Sequence, residues 1–120
     1  MMRLVARRRW NLEVQWDSSA TEARLALVQR HPAETVAWIE ATRYAPNGRW
    51  HVGALQSYRE RQGIGTWLTS ALWRCLGRQP MTVVPIHRGR VFWPKYVNRY
   101  PGRIDLLASD EVPDGVAWER

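Results

Sequence analysis

Residues 55–77, LQSYRERQGIGTWLTSALWRCLG, run from a short apolar segment through an arginine-rich turn with two glycines into an amphipathic helix. Ile64, Trp67, Leu68, Ala71, Leu72, Cys75 and Leu76 fall at the three-then-four spacing of a single helical face. Thr66, Thr69, Ser70 and Arg74 lie off that stripe, and Gly77, Arg78 and Pro80 supply a stop. The compact apolar run Met81–Ile86 follows, reading as a buried strand that Pro85 brings to its end. Strand, helix and strand in that order impose a parallel crossover, and hence an α/β or α+β domain.

The turn at Gly63-Ile64-Gly65 has a chemistry of its own. The first turn of a helix leaves backbone N–H groups without intrahelical partners, and the aligned peptide dipoles put partial positive charge there. Glycines at 63 and 65 remove Cβ atoms that would hold a phosphate off the backbone, and Arg59 and Arg61 add full charges just upstream. A tight strand-to-helix turn with no ligand uses the same residues. Other phosphate motifs fit worse: no Gly-Lys-Ser/Thr opens the helix, and Leu68 stands where a dinucleotide fingerprint wants its third glycine.

Leu55-Gln56-Ser57-Tyr58-Arg59-Glu60-Arg61-Gln62-Gly63-Ile64-Gly65-Thr66 followed by Leu68 resembles the acyl-CoA-binding segment of the GNAT superfamily of N-acyltransferases. In that family a strand leads into a Q/R-x-x-G-x-G/A loop and a helix. The resemblance implies a GNAT-like mixed, mostly antiparallel central sheet flanked by helices, with acetyl-CoA as co-substrate. By position, Leu55, Gln56 and Ser57 would line pantetheine. Arg61, Gln62, Gly63 and Gly65 would hold the pyrophosphate within a docking turn that runs from Arg59 to Thr66. Glu60 occupies the position the family gives to Gln or Arg, and the flanking arginines offset its charge.

The 120 residues, 45% of them hydrophobic, suit one domain covering 1–120. No apolar run approaches the about 20 residues that span a bilayer, and the amino terminus is charged where a signal peptide is apolar, so a cytoplasmic protein is expected. The lone Cys75 sits on the helical stripe and reads as core. His31, His51 and His87 are isolated, so no metal site is expected. Eighteen basic residues, all but Lys95 arginine, stand against eleven acids for a net charge of +7. That balance favours an anionic partner: nucleic acid, an acidic protein or the phosphates of CoA.

Along the rest of the chain, residues 3–16 alternate as a strand or hairpin, and Arg7-Arg8-Arg9 within them is either a solvated face or a nucleic-acid contact. Ser19-Ala-Thr-Glu22 has capping-box spacing, and the Ala-, Leu- and Arg-rich segment to Arg30 reads as a helix ending before His31-Pro32. Thr35–Tyr44 and Trp50–Tyr58, joined by Ala45-Pro-Asn-Gly48, form an antiparallel hairpin. Glu40 is the one acid inside it, either a general base or an outward-facing strand residue.

Residues 87–103 hold two readings. By the resemblance they carry the family's next helix, with Phe92, Trp93 and Lys95 at the signature and Trp93 where a proton-donating tyrosine often stands. Tyr96 then takes the role of acid, provided that the helix survives Pro94, with Tyr100 second. By composition, Arg88, Arg90, Lys95, Arg99 and Arg103 among Phe92, Trp93, Tyr96 and Tyr100 suit phosphates and stacked bases. The aromatics are equally fit to be core, as most of eight tryptophans in a small domain must be. Ile104–Ala108 and Val116–Trp118 read as a closing hairpin.

The reading that follows is an acyl-CoA-dependent N-acetyltransferase acting on a primary amine of a small molecule or protein. Glu40 or water takes the amine's proton, a strand amide polarises the thioester carbonyl and Tyr96 returns a proton to sulfur. The alternative is a basic module that has lost catalysis and contacts nucleic acid or a protein.

Overall fold

The computed structural model describes residues 2–5, 10–44, 48–59 and 63–108. Among these residues seven strands stand side by side in chain order: β1 (Met2–Val5), β2 (Glu13–Ser18), β3 (Glu22–Gln29), β4 (Glu34–Arg43), β5 (Trp50–Ser57), β6 (Met81–Val83) and β7 (Ile104–Leu106). Helix α1 (Ile64–Cys75) joins β5 to β6, and α2 (Gly89–Arg99) joins β6 to β7. Strands β1 to β5 pair antiparallel with their neighbours, while β5, β6 and β7 run parallel. The architecture is mixed α+β.

Two right-handed crossovers stepping the same way along a sheet place both helices on one face. Their contacts agree, since Ser70 of α1 meets Tyr96 of α2 with hydroxyls 2.9 Å apart. Ile64, Leu68 and Leu72 of α1 are fully buried against Leu25, Leu27, Ala37 and Ile39 of the central strands. Each such side chain contributes about 1.5–3 kcal/mol of burial. Gly77, with φ of +79°, ends α1 in the left-handed conformation while Arg78 N–H returns to the carbonyl of Trp73. Helix α2 survives Pro94, because that residue is exposed and Trp93 and Tyr96 beside it are buried in the core.

Three expectations are corrected. Residues 22–29 form β3 rather than a helix. Ala23, Leu25 and Leu27 point inward while Glu22 and Arg24 point out, a period of two that pairing with β2 and β4 enforces over local helix propensity. Cys75 is exposed rather than core, because the buried stripe of α1 is rotated to take in Thr69 and Ser70. Strand β6 ends at Val83, ahead of Pro85. Strand β7 pairs parallel with β6, and Val116–Trp118, expected to close a hairpin with it, lie outside the described residues, as does Arg7-Arg8-Arg9.

Among the described residues the middle of the sheet has two register breaks, one between β3 and β4 at Leu27–Val28 and one between β4 and β5. Glu40 pairs with Ala54 and Ala41 with Val52, so the register steps over Gly53. An extra residue of this kind bends its strand and increases the local twist. Beyond it, β5 continues from Gly53 to Ser57 although its last partner on β6 is Val52.

Candidate functional site

The two strands therefore part where α1 begins. On the β6 side the edge of β5 from Gly53 to Ser57 has no strand partner among the described residues, since β6 stops at Val83. The opening is a cleft of about 690 Å³. One wall is the end of β5 with Leu55, Gln56, Ser57 and Arg59, and the floor is Gly63, Ile64, Gly65 and Thr66. The far wall is the start of α2, with His87, Arg88, Gly89, Phe92 and Trp93. None of these described lining residues is acidic. A concave, largely apolar opening of this size with a few convergent polar groups suits a small-molecule ligand.

The floor is polar through its backbone. Gly63, the residue before α1, has φ of +74°, which side-chain-bearing residues adopt only with strain. The first bond of the helix runs from Trp67 N–H to the Gly63 carbonyl at 3.0 Å, so the amides of the preceding turn have no intrahelical acceptor. Among the described residues no side chain caps that end, and no acid lies in the first turn. Gly65 has a different reason to be glycine. A Cβ there would lie 3.2 Å from Phe92 Cε1 and 3.6 Å from Leu55 Cδ2, so its bareness lets α1 approach α2 and β5 closely.

Of the residues singled out from the sequence, Leu55, Gln56, Ser57, Arg59, Gly63, Gly65 and Thr66 all border the cleft. Arg61 and Gln62, with Glu60, lie outside the described residues. Arg59 is tethered: its guanidinium donates to Gln29 Oε1 at 2.8 Å, and its backbone N–H and carbonyl both bond the Ser57 hydroxyl.

The two expected catalytic side chains do not line the cleft. Glu40 is half exposed in a separate groove with Asp17, Ser19, Glu22, Arg24 and Thr42, its Oε1 3.3 Å from Arg24 Nε. Tyr96 is buried, and its hydroxyl is held by Ser70 Oγ at 2.9 Å and by the Arg103 guanidinium at 3.5 Å. Trp93 and Phe92, one turn earlier on α2, form the wall instead.

His87 does border the cleft and was set aside in the sequence as isolated. One signal pointed to it. In sheets with parallel strands, ligands sit beyond the carboxyl ends of neighbouring strands, and His87-Arg88-Gly89 follow soon after the end of β6, beside the segment that follows β5. His51, by contrast, is buried on β5, its Nδ1 2.9 Å from Thr82 Oγ1 on β6, and burial lowers its pKa to about 4. It is a neutral strut across the seam between the two strands.

Among the described residues no group of three His, Cys, Asp or Glu side chains is placed to hold a metal, and no helix is long and apolar enough to cross a membrane. No protein-family model matches the chain, and no curated protein and no solved structure matches it.

Proposed function

We propose that this chain is an acyl-CoA-dependent N-acyltransferase of GNAT type, moving an acetyl group from acetyl-CoA to a primary amine. The observation that carries the reading is the parting of β5 from β6 directly beside a helix start whose Gly63 is left-handed and which, among the described residues, no side chain caps. A diphosphate placed on the amides following Gly63 meets partial positive charge with no carboxylate among the described lining residues. From there the pantetheine arm runs along Leu55 to Ser57, whose free strand edge offers N–H and C=O groups as a β-partner does. An edge amide near the Gly53 bulge is in position to polarise the thioester carbonyl.

The acceptor approaches from the sheet face opposite the helices. Glu40 lies on that side, its register partner Ala54 adjacent to cleft-lining Leu55, about 5 Å across one strand spacing. It reaches the amine through water rather than directly. Tyr96 is committed to Ser70 and Arg103, so the thiolate takes its proton from solvent or from His87 at the rim.

The decisive measurement is unfolding with and without acetyl-CoA. At a hundred times its dissociation constant the ligand adds about 2.7 kcal/mol. Gly63→Ala, strained by its positive φ, loses most of that increment while the fold persists. Absence of any increment with the native chain overturns the reading. Radiolabelled acetyl transfer to a panel of amines then identifies the acceptor class.

A further inference from the structure

The charge of this protein is segregated. Between Glu60 and Asp105 the chain carries seven arginines and one lysine and not a single acid, while the rest holds ten basic residues against eleven acidic ones. The whole excess of positive charge therefore lies in the α1–β6–α2 segment. At the carboxyl ends of its two helices that charge is organised. Arg78 lies over the Trp73 ring, Arg103 over both Trp73 and Tyr100, and Arg99 over Tyr100, with guanidinium carbons 5.6, 4.1, 4.5 and 5.2 Å from the ring centroids. Cation and ring alternate from Arg78 to Arg99. Among the described residues none of these three arginines has a carboxylate within ion-pair distance, whereas Arg24 on β3, Arg30 just after it and Arg49 just before β5 each do.

Three neighbouring cations without counter-charge repel one another. The rings and the negative ends of the two helix dipoles, where Arg74 and Arg99 already sit in the last turns, offset that repulsion and hold the guanidiniums in place. The sequence put Phe92, Trp93 and Tyr96 among the candidate stacking residues, but they are in the cleft wall and the core. Trp73 of α1 and Arg78 in the turn just beyond that helix take their place.

The geometry points to a binding surface for the phosphate backbone of nucleic acid at the carboxyl ends of α1 and α2, built on the exposed Arg78 and Arg99 around Arg103, whose Nη1 already donates to the Ser70 and Tyr96 hydroxyls. Guanidiniums pre-set on rings present planar donor forks, the form that phosphate oxygens accept in pairs. The two rings are already engaged by arginines, so bases gain little by stacking and recognition is of backbone rather than sequence. A protein partner fits less well. Such interfaces centre on apolar anchors, and of the large hydrophobics exposed among the described residues, Tyr58, Val91 and Leu106, none belongs to this array. The surface is separate from the cleft, which lies at the opposite ends of the same helices, about 18 Å away along α1. The inference stands whether or not acetyl-CoA binds.

The test is anisotropy of labelled single-stranded and duplex oligonucleotides of unrelated sequence, titrated with the full chain from about 50 to 200 mM salt. Binding is expected to be insensitive to sequence and to weaken steeply with salt. R78Q/R99Q, both exposed, is expected to lower affinity at least about tenfold at the low-salt end and to flatten the salt slope by about two. R78K/R99K, which keeps the charge but not the planar fork, is expected to restore the salt slope and only part of the affinity, and shows that the loss is not misfolding. R24Q/R43Q removes the same charge from the sheet and is expected to change affinity less than about twofold. Equal losses in R78Q/R99Q and R24Q/R43Q, no binding at low salt, or equal competition by polyglutamate each overturn the proposal, the last in favour of an acidic protein.

Discussion

Strands β1 to β5 pair only with their sequence neighbours, through antiparallel registers, and their charges are balanced by ion pairs such as Arg24 with Glu40 and Arg30 with Glu13. From α1 onward each sheet connection is a helical crossover, the strands shrink to three residues, and acids are missing until Asp105. The first half is held by ladders of backbone bonds. The second is held by side chains of α1 and α2 packed on the sheet, because three-residue strands offer little pairing of their own. The cleft opens where one scheme gives way to the other, at the end of β5, and this explains why a backbone edge and a helix start meet there with no strand between them among the described residues.

If the second half depends on side-chain anchors, removing one must cost more there than on the open sheet face. Trp93, 1% exposed on α2 and in contact with Phe92 and Tyr96, is the test case. Trp93→Ala is expected to cost about 3–5 kcal/mol and to abolish any acetyl-CoA increment with it. Trp38, partly buried on β4 beneath the Arg24 guanidinium, is expected to cost about 1–2 kcal/mol when cut to alanine, since part of its surface is already in water. Urea midpoints with unchanged slopes separate the two outcomes, and equal costs would break the distinction between the halves.

The seam between the halves is sensitive to pH through His51. Free histidine titrates near 6.5, and burial brings His51 down to about 4. Between those values the unfolded chain holds a proton that the folded chain does not, so stability falls as pH drops from 6.5 to 4 and this contribution is fully lost below 4. The span is on the order of 3 kcal/mol. His51→Gln is expected to flatten the urea midpoint over that window, and hydrogen exchange near pH 5 to show the amides of β6 opening before those of β3. An unchanged pH slope in the variant would assign the titration elsewhere.

The β5–α1–β6 crossover was legible in the sequence. Glycine turn, apolar stripe and stop signal at 63–77 agree on a helix, and the apolar strands on either side leave a parallel connection as the outcome. Residues 19–29 misled because two local signals had two meanings. Ala, Leu and Arg favour helix when alone, yet Ala23, Leu25 and Leu27 also alternate, and only pairing on both edges decides between the two. The Ser19 hydroxyl does accept the Glu22 N–H, at 3.2 Å, as a helix cap would, but the Ser19 N–H answers the Glu22 carbonyl at 2.8 Å and the bonds close a hairpin. Within the site, chain-local residues such as Leu55 to Ser57 were readable from position. His87 and the burial of Tyr96 depend on how α2 packs across α1, which no local pattern encodes.

Gly65 sharpens the comparison at the junction itself, since it touches both halves. Gly65→Ala gains helix propensity but pushes a Cβ to 3.2 Å from Phe92, which must yield by a few tenths of an ångström. A net loss of about 1 kcal/mol without ligand is expected, against a smaller effect on the acetyl-CoA increment than Gly63→Ala produces. The reverse ranking would make Gly65, rather than Gly63, the residue whose bareness serves the ligand.

The smallest effect on stability falls in the antiparallel half, at Glu40. Its ion pair with Arg24 spans 3.3 Å between side chains that are each about half exposed, at 46% and 49%, and pairs in water contribute about 0–1 kcal/mol. Glu40→Gln is therefore expected to move stability by less than about 0.5 kcal/mol, and its glutamine remains able to hydrogen-bond the same guanidinium. If the carboxylate serves as a base through water, kcat falls by about ten- to a hundredfold while any acetyl-CoA increment is untouched, since the cleft and the Glu40 groove are lined by different residues. A loss of acetyl-CoA binding in Glu40→Gln would instead mean that the two faces of the sheet are coupled through the Gly53 bulge, the one place where the β4–β5 register is broken.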